Sequence, residues 1–550
     1  MPDLPNDPSR RSVVVGGITI AASLAAGMGA SDARANVRSQ PIAKGPHKKG
    51  TPAVFDVVIV GGGSAGAVLA RRLSETGKRT VLLLEAGHSY APESYPDLVA
   101  KSDIVGANGN PEFEWGYKTQ TGYIDHPIGA LRGKVLGGSS AINGAVALRA
   151  RDTDFKRWDL PGWSYQEVLP FFKKLENRSA GASTLHGHDG PLPVNQLKRA
   201  DTTPMQQAFM DATVANGFKL VDDFDGADAN GVGPYPMNIV NGIRVNTGMA
   251  YLTEQVRARD NLVIEPDSLV DKVLFTGKRA VGVRLASGET VQAGEVILAA
   301  GTYGSAAILL RSGIGPSDHL KSLGIEQVAD LPVGQHLVDH PFYYNAYAAK
   351  PDLIGRQSPA IGAKLWTHSD SAAQGDLDLH ITATHLFPHD QSPTKVGFVL
   401  AVALTRPLSK GSLTLASRDP FVAPLIDLNF LDREEDRRRL LDGIRLARKI
   451  ASTPPLRDMI HSELNPGPAA ESEATILASA KATLDTYHHP TSTAPMGRPG
   501  DTAAVVDVHA RPFGIQGLRV VDASILPDVP SVATNITVIA LAEKIASEYI

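Results

Sequence analysis

Along residues 55–87, FDVVIVGGGSAGAVLARRLSETGKRTVLLLEAG, the hydrophobic positions change rhythm twice. Val57 to Val60 form an unbroken apolar run, the pattern of a strand buried on both faces. A stretch with helical spacing follows, and a second apolar run spans Val81 to Leu84. The order strand, helix, strand predicts a βαβ unit. Between the first strand and the helix stands Gly61-x-Gly63-x-x-Gly66, and Glu85 closes the second run, 19 residues past Gly66. Gly61 permits the tight turn, Gly63 lets backbone N–H groups approach a pyrophosphate, and Gly66 lets helix and strand pack closely. Ser64 and Ala65 complete the turn into the helix, whose N-terminus carries partial positive charge toward the phosphates. Glu85 stands where a carboxylate accepts ribose hydroxyls. In this context the motif predicts an adenine dinucleotide.

Other patterns extend the picture. Gly133 to Val146 is a Gly-rich segment with two hydroxyls and an amide, suited to bring backbone N–H groups against a second ring system or a phosphate. Residues 262–300 predict a strand-rich insert with runs at Leu262–Ile264, Leu269–Phe275, Ala280–Leu285 and Val296–Ala300, followed by an apolar helix around Ile308. Residues 341–430 alternate apolar and polar positions, as in Leu377–Thr384 and Gly397–Leu404, which predicts a larger antiparallel sheet. Residues 432–453 predict a charged amphipathic helix. Leu518–Val521 predicts a strand, and a terminal helix is expected from about Ile536.

At 550 residues the chain is long enough for several domains. A net charge of −4 gives no sign of a nucleic-acid or anionic-membrane partner, and the absence of cysteine excludes disulfides, iron–sulfur clusters and thiol catalysis. Ser9-Arg10-Arg11-Ser12-Val13, an apolar Gly/Ala-rich stretch and Ala33-Arg34-Ala35 fit a twin-arginine export signal over residues 1–35. Residues 36–53 then read as a linker. The expected mature protein is periplasmic, with no stable membrane insertion.

These pieces together resemble the glucose–methanol–choline (GMC) oxidoreductase family. The resemblance rests on Gly133 to Asn143 and onward, on Gly301-Thr-Tyr-Gly-Ser-Ala-Ala-Ile-Leu-Leu-Arg-Ser-Gly-Ile-Gly315, and on Arg406 to Ser412 with Leu518 to Ser524. Lys156 and Ala306 depart from its usual pattern. The resemblance implies an α/β fold: a Rossmann-like FAD-binding domain assembled from 54–155, 240–340 and 490–550. A substrate domain on the larger antiparallel sheet would take 156–239 and 341–489. By matching position, Gly61, Gly63, Ser64, Ala65, Gly66 and Glu85 would hold the ADP half and Val270 the adenine region. Val135, Gly138, Asn143, Gly144, Ala145 and Val146 would line the isoalloxazine, and Asp522 and Ala523 would reach the pyrophosphate or ribityl chain. Some relatives attach FAD through a histidine at the position of Ile142, so FAD is expected to be non-covalent here.

Alcohol oxidation by a flavin needs a base for the hydroxyl proton, an acceptor for hydride at flavin N5, and stabilisation of the transient alkoxide. In Thr486-Tyr-His-His-Pro490, matching the family places the base on His489, with His488 the alternative. An ordinary histidine pKa of about 6.5 predicts flavin reduction that speeds up between roughly pH 6 and 8. Relatives carry a second active-site Asn or His where this chain has Ala533, which leaves Asn535 as a partner of the base or as the cap of the terminal helix, or leaves the partner's role to another polar residue that the sequence does not identify. His385 and Phe387 are further candidates for the substrate pocket. His186-Gly-His188 reads as a turn, and no metal site is expected. The implied reaction is oxidation of a primary or aromatic alcohol, with oxygen, a quinone or a cytochrome as electron acceptor. The alternatives are a lyase with a structural flavin and a non-catalytic flavin-binding subunit.

Overall fold

The computed structural model describes residues 54–549, so the expected export signal and linker lie outside the described residues. Five parallel strands form the centre of the first sheet. In spatial order they are Leu518–Val520, Thr290–Leu298, Val54–Val60, Val81–Leu84 and Leu262–Glu265. Their register sets Val520, Leu298, Val60, Leu84 and Glu265 side by side. All five carboxyl ends therefore open in one direction, and the crevice beyond such a row is where open α/β sheets bind ligands.

Residues 262–300 are not an insert. Leu262–Glu265 and Thr290–Leu298 flank the βαβ unit as parallel neighbours, and the hairpin Val270–Thr276/Arg279–Leu285 extends from the first half of Thr290–Leu298. Apolar periodicity identifies such strands but not their partners, because parallel neighbours meet through long crossovers.

Helix Gly66–Leu73 packs on the terminal helix Asn535–Ser547, where buried Arg72 pairs with Glu543 at 2.8 Å. Tyr251 donates a further hydrogen bond to Glu543 at 3.0 Å. Helix Tyr165–Leu175, placed by sequence with the substrate domain, packs on the same terminal helix. Lys174 reaches Glu543 at 3.1 Å, and Lys544 lies over the rings of Trp163 and Phe171.

The second sheet is antiparallel, in the order Ile460–Asn465, Pro341–Ala349, Gly397–Leu404, Leu379–Thr384, Ile361–Thr367 and Gly231–Pro234, with Asp485–Thr486 paired to the start of Pro341–Ala349. Its central strands are buried on both faces. Tyr343, Ile381, Leu400 and Val402 join a core with Leu440 and Ile444 of helix Glu434–Ala451 and with Phe209 of helix Pro204–Ala215. The opposite face carries Phe342, Tyr344 and Thr382, which look toward the first sheet. The two-residue period of a strand thus assigns one row to the core and the next row to the cavity.

Candidate active site

A cavity of about 880 Å³ lies between the row of carboxyl ends and the second sheet. At one end Gly61, Gly63, Ser64 and Ala65 line it together with Glu85 and Val270. Helix Gly66–Leu73 starts here with no side-chain cap, directly after the cavity-lining backbone of Gly63 to Ala65. This end suits a diphosphate. Glu85 accepts hydrogen bonds from Gly62 N–H at 2.7 Å and Gly87 N–H at 2.8 Å. Burial nevertheless pushes its carboxyl up to about 7, against the pull of those N–H groups. A buried carboxyl that still borders the cavity fits a site for ribose hydroxyls.

The two Gly-rich loops touch each other. A Cβ on Gly138 would stand 2.7 Å from Gly63 Cα, so the backbones meet with no room for a side chain. Gly138, Asn143, Gly144 and Val146 line the middle of the cavity. Asp522 and Ala523 line it beside the start of helix Gly301–Arg311, where Asp522 accepts from Gly301 N–H at 2.9 Å and Ser305 Oγ at 2.5 Å. The length, the uncapped helix and the glycine cradle together fit FAD.

Three of the expected cofactor residues do not line the cavity. Gly66 lies behind the loop, where it serves packing: a Cβ there would fall 1.8 Å from Gly61 O. Val135 bridges His88, and its side chain joins a cluster with Tyr95, Val99 and Ile142. Ala145, at φ 55°, packs with Tyr235 and Trp366. Neighbours in an extended loop face opposite sides, so only part of a contiguous motif can reach a ligand.

At the other end stand His488 and His489. Asp339 clamps the backbone here. It accepts from the N–H of His489 at 2.8 Å and of His340 at 2.7 Å, and from the Thr486 hydroxyl at 2.6 Å. Burial pushes its carboxyl up to about 6. His489 Nδ1 lies 3.0 Å from His340 Nδ1, and the Tyr487 ring lies 4.5 Å from that of His489. Burial, followed by His340, Arg132 and His488, pushes the His489 imidazole well below its ordinary value. His340 falls to about 3 through burial. Its Nε2 makes no hydrogen bond of good geometry, but the carbonyls of Pro530 and Thr405 lie near enough to favour a proton on the ring. His488 is held at φ 63°. Its carbonyl accepts from Arg132 Nη2 at 2.6 Å, and its Nδ1 has no partner.

Asn535 lines the cavity but is not the helix cap. The cap is Thr534, and Asn535 is the first helical residue. Its Oδ1 accepts from Ser64 Oγ at 2.7 Å, while its buried Nδ2 has no partner. His385 is turned away to Thr203 at 2.8 Å, and Phe387 packs with Ala346 and Val399. Leu386, between them, lines the cavity instead. His186 is held by Glu176 and Asp223 at 2.9 Å each. Sequence reasoning missed Asp339, His340, Arg132, Trp115 and Tyr117. Asp339-His340-Pro341 sits directly before a strand and carried a usable signal, whereas the others have no local pattern.

Two family models described as GMC oxidoreductase match residues 55–342 and 407–542. The oxygen-dependent choline dehydrogenase of Paraburkholderia phymatum is 37% identical over 533 residues, covering 90% of this chain and 92% of the relative. Pyridoxine 4-oxidase from Mesorbium loti superposes with a TM-score of 0.83 at 31% identity, covering 90% of this chain and 99% of that one. Formate oxidase from Aspergillus oryzae, a protein with FAD modification, superposes at 0.81 with 25% identity, over 90% of this chain and 98% of the other. The chain therefore belongs to the GMC oxidoreductase family, as an enzyme that acts on CH–OH groups.

Proposed function

We propose that the enzyme oxidises an uncharged primary alcohol with an aromatic or apolar body to its aldehyde, with His489 as base. The observation that carries this reading is the His489–His340 pair at the cavity end opposite the Gly-rich loop. A proton on His340 Nε2, toward the Pro530 and Thr405 carbonyls, leaves His340 Nδ1 as an acceptor for His489 Nδ1–H. His489 Nε2 is then a bare lone pair, and it takes the hydroxyl proton. When bound, FAD, the cofactor typical of this family, supplies the acceptor for the hydride leaving the alcohol carbon. Ser64 Oγ donates to the Asn535 amide oxygen and so holds Asn535 at the diphosphate end, with Nδ2 as its unpaired group. Ala533 lines the same cavity and offers no polar group.

The substrate class follows from the wall. Phe342, Tyr344, Ile361, Thr382, Thr384 and Leu386 line the second-sheet side, and none is charged. The cavity-lining carboxylates among the described residues are Glu85, Glu112, Asp267 and Asp522, all at the dinucleotide side. Asp485, behind the wall, already accepts from the Tyr344 hydroxyl at 3.1 Å. A cationic alcohol would face aromatic rings but no carboxylate counter-charge. Anaerobic titration checks this. Benzyl alcohol is expected to bleach the flavin band at concentrations where choline leaves it unchanged, and the reverse order would remove the uncharged-substrate reading. The relatives' names, oxygen-dependent dehydrogenase and oxidase, support oxygen as electron acceptor, ahead of a quinone or cytochrome.

We also propose non-covalent FAD and export by the twin-arginine route, supported by Ile142 on the cavity wall and by Arg10-Arg11. The denatured protein from a periplasmic extract is expected to have the mass of a chain starting after residue 35, with no added flavin. A mass that includes FAD or residues 1–35 would contradict the corresponding half.

A further inference from the structure

We propose that Phe421 is an aromatic flap that closes on the adenine of FAD, an inference that rests on the FAD reading above. Phe421 is 71% exposed, the most exposed large hydrophobic side chain among the described residues, yet it borders the cavity. It stands in Pro420-Phe421-Val422-Ala423-Pro424, the tip of the hairpin Ser412–Thr414/Leu425–Asp427. An exposed aromatic on a soluble surface has a reason when a planar partner is available to cover it.

The position of the tip identifies that partner. A dinucleotide that places its diphosphate at the uncapped helix and its ribose at Glu85 runs away from His489 toward Val270. Val270 opens a strand whose next residue, Asp271, receives Arg311 Nε on its carbonyl at 2.9 Å. Helix Gly301–Arg311, which ends on Arg311, packs on the hairpin strand Ser412–Thr414, and within that hairpin Asp419 Oδ1 accepts from Phe421 N–H at 2.9 Å. Phe421 therefore stands at the adenine end. The rest of that end is also built for a flat ring. Trp115 and Tyr117 lie 5.6 Å apart with planes only 4° from parallel, Lys134 sits 5.4 Å over Trp115, and all three line the cavity.

Proline on both sides restricts the backbone of the tip, while the hairpin base is tied down. Gln120 N–H donates to the Ile426 carbonyl at 2.7 Å, and Leu413 N–H donates to the Gly334 carbonyl at 2.8 Å. The tip thus carries one exposed aromatic ring, that of Phe421, on a fixed support. Stacking of an aromatic side chain on a base changes affinity by about tenfold or more when the ring is removed.

The test uses the holoenzyme and three proteins: wild type, Phe421→Ala and Phe421→Tyr. FAD release on dilution is followed by the rise in free-flavin fluorescence. Phe421→Ala is expected to release FAD about tenfold faster, with an unshifted visible flavin band, because the isoalloxazine end is untouched. Phe421→Tyr, which keeps the ring, is expected to behave as wild type. Release from Phe421→Ala at the wild-type rate overturns the proposal. So does faster release with a shifted band or in both variants, which would mean general loosening or an unrelated role for the patch, such as contact with another protein. A purified wild-type chain without flavin would instead remove the FAD reading itself.

Discussion

His489→Ala keeps its FAD and reduces it about 10²–10⁴-fold more slowly than wild type under anaerobic alcohol, the usual effect of losing a general base. FAD retention is expected because the dinucleotide end of the cavity is built from other segments, around Gly61–Ala65 and Glu85. The pH dependence separates a base from a merely structural histidine. The imidazole must be neutral to accept a proton. Burial, His340 and Arg132 push its pKa below the ordinary histidine value, so the neutral form already dominates at pH 6. Wild-type reduction is therefore expected to be flat from pH 6 to 8 and to fall only at lower pH. This replaces the rise between pH 6 and 8 that an ordinary histidine predicts. Asp339, whose carboxyl is pushed up to about 6 by burial and which accepts from the His489 N–H, is the neighbouring group that would reintroduce a slope. If His489→Ala reduces at the wild-type rate while His488→Ala does not, the base is His488.

The second large effect is expected at Gly66. An added Cβ would stand 1.8 Å from Gly61 O, a backbone atom of the first loop turn. Relief requires that the helix withdraw from the strand, and that movement carries the phosphate-binding N–H groups with it. Gly66→Ala is expected to yield protein with little or no flavin, read as the ratio of visible to ultraviolet absorbance, and a lower melting temperature. Gly77→Ala is the control. It has nothing within 4 Å of its Cβ and only a left-handed φ of 71° to oppose it, which costs about 1 kcal/mol. Equal flavin content in both variants would show that the contact is relieved without disturbing the loop.

Local pattern and long-range pairing were legible to different degrees. The βαβ unit, helix Glu434–Ala451 and the terminal helix carry their signal within one window of sequence, and the structure places them within a few residues of the reading. The larger antiparallel sheet was legible as alternation, but not the burial of both its faces, because helix Glu434–Ala451 arrives from beyond the strands it covers. The 262–300 strands were legible as strands and misread as an insert, since their parallel partners in the βαβ unit lie 181 and 238 residues earlier. At the site, the first glycine loop announces itself by spacing, and His489 by its matching position in the family resemblance. Arg132, Trp115 and Phe421 reach the cavity, and His340 reaches His489, only through tertiary packing. Asn535 shows the opposite case: a residue type suited to capping sits one position inside the helix, and its amide is claimed by Ser64 from the first loop.

The most direct measurement is anaerobic mixing of the holoenzyme with one equivalent of benzyl alcohol, with the flavin band and the released aldehyde followed together. The account predicts bleaching of the band and benzaldehyde in equal amounts to the flavin reduced, both slowed in parallel by His489→Ala. An unchanged flavin band with benzyl alcohol and with every other alcohol supplied would contradict it.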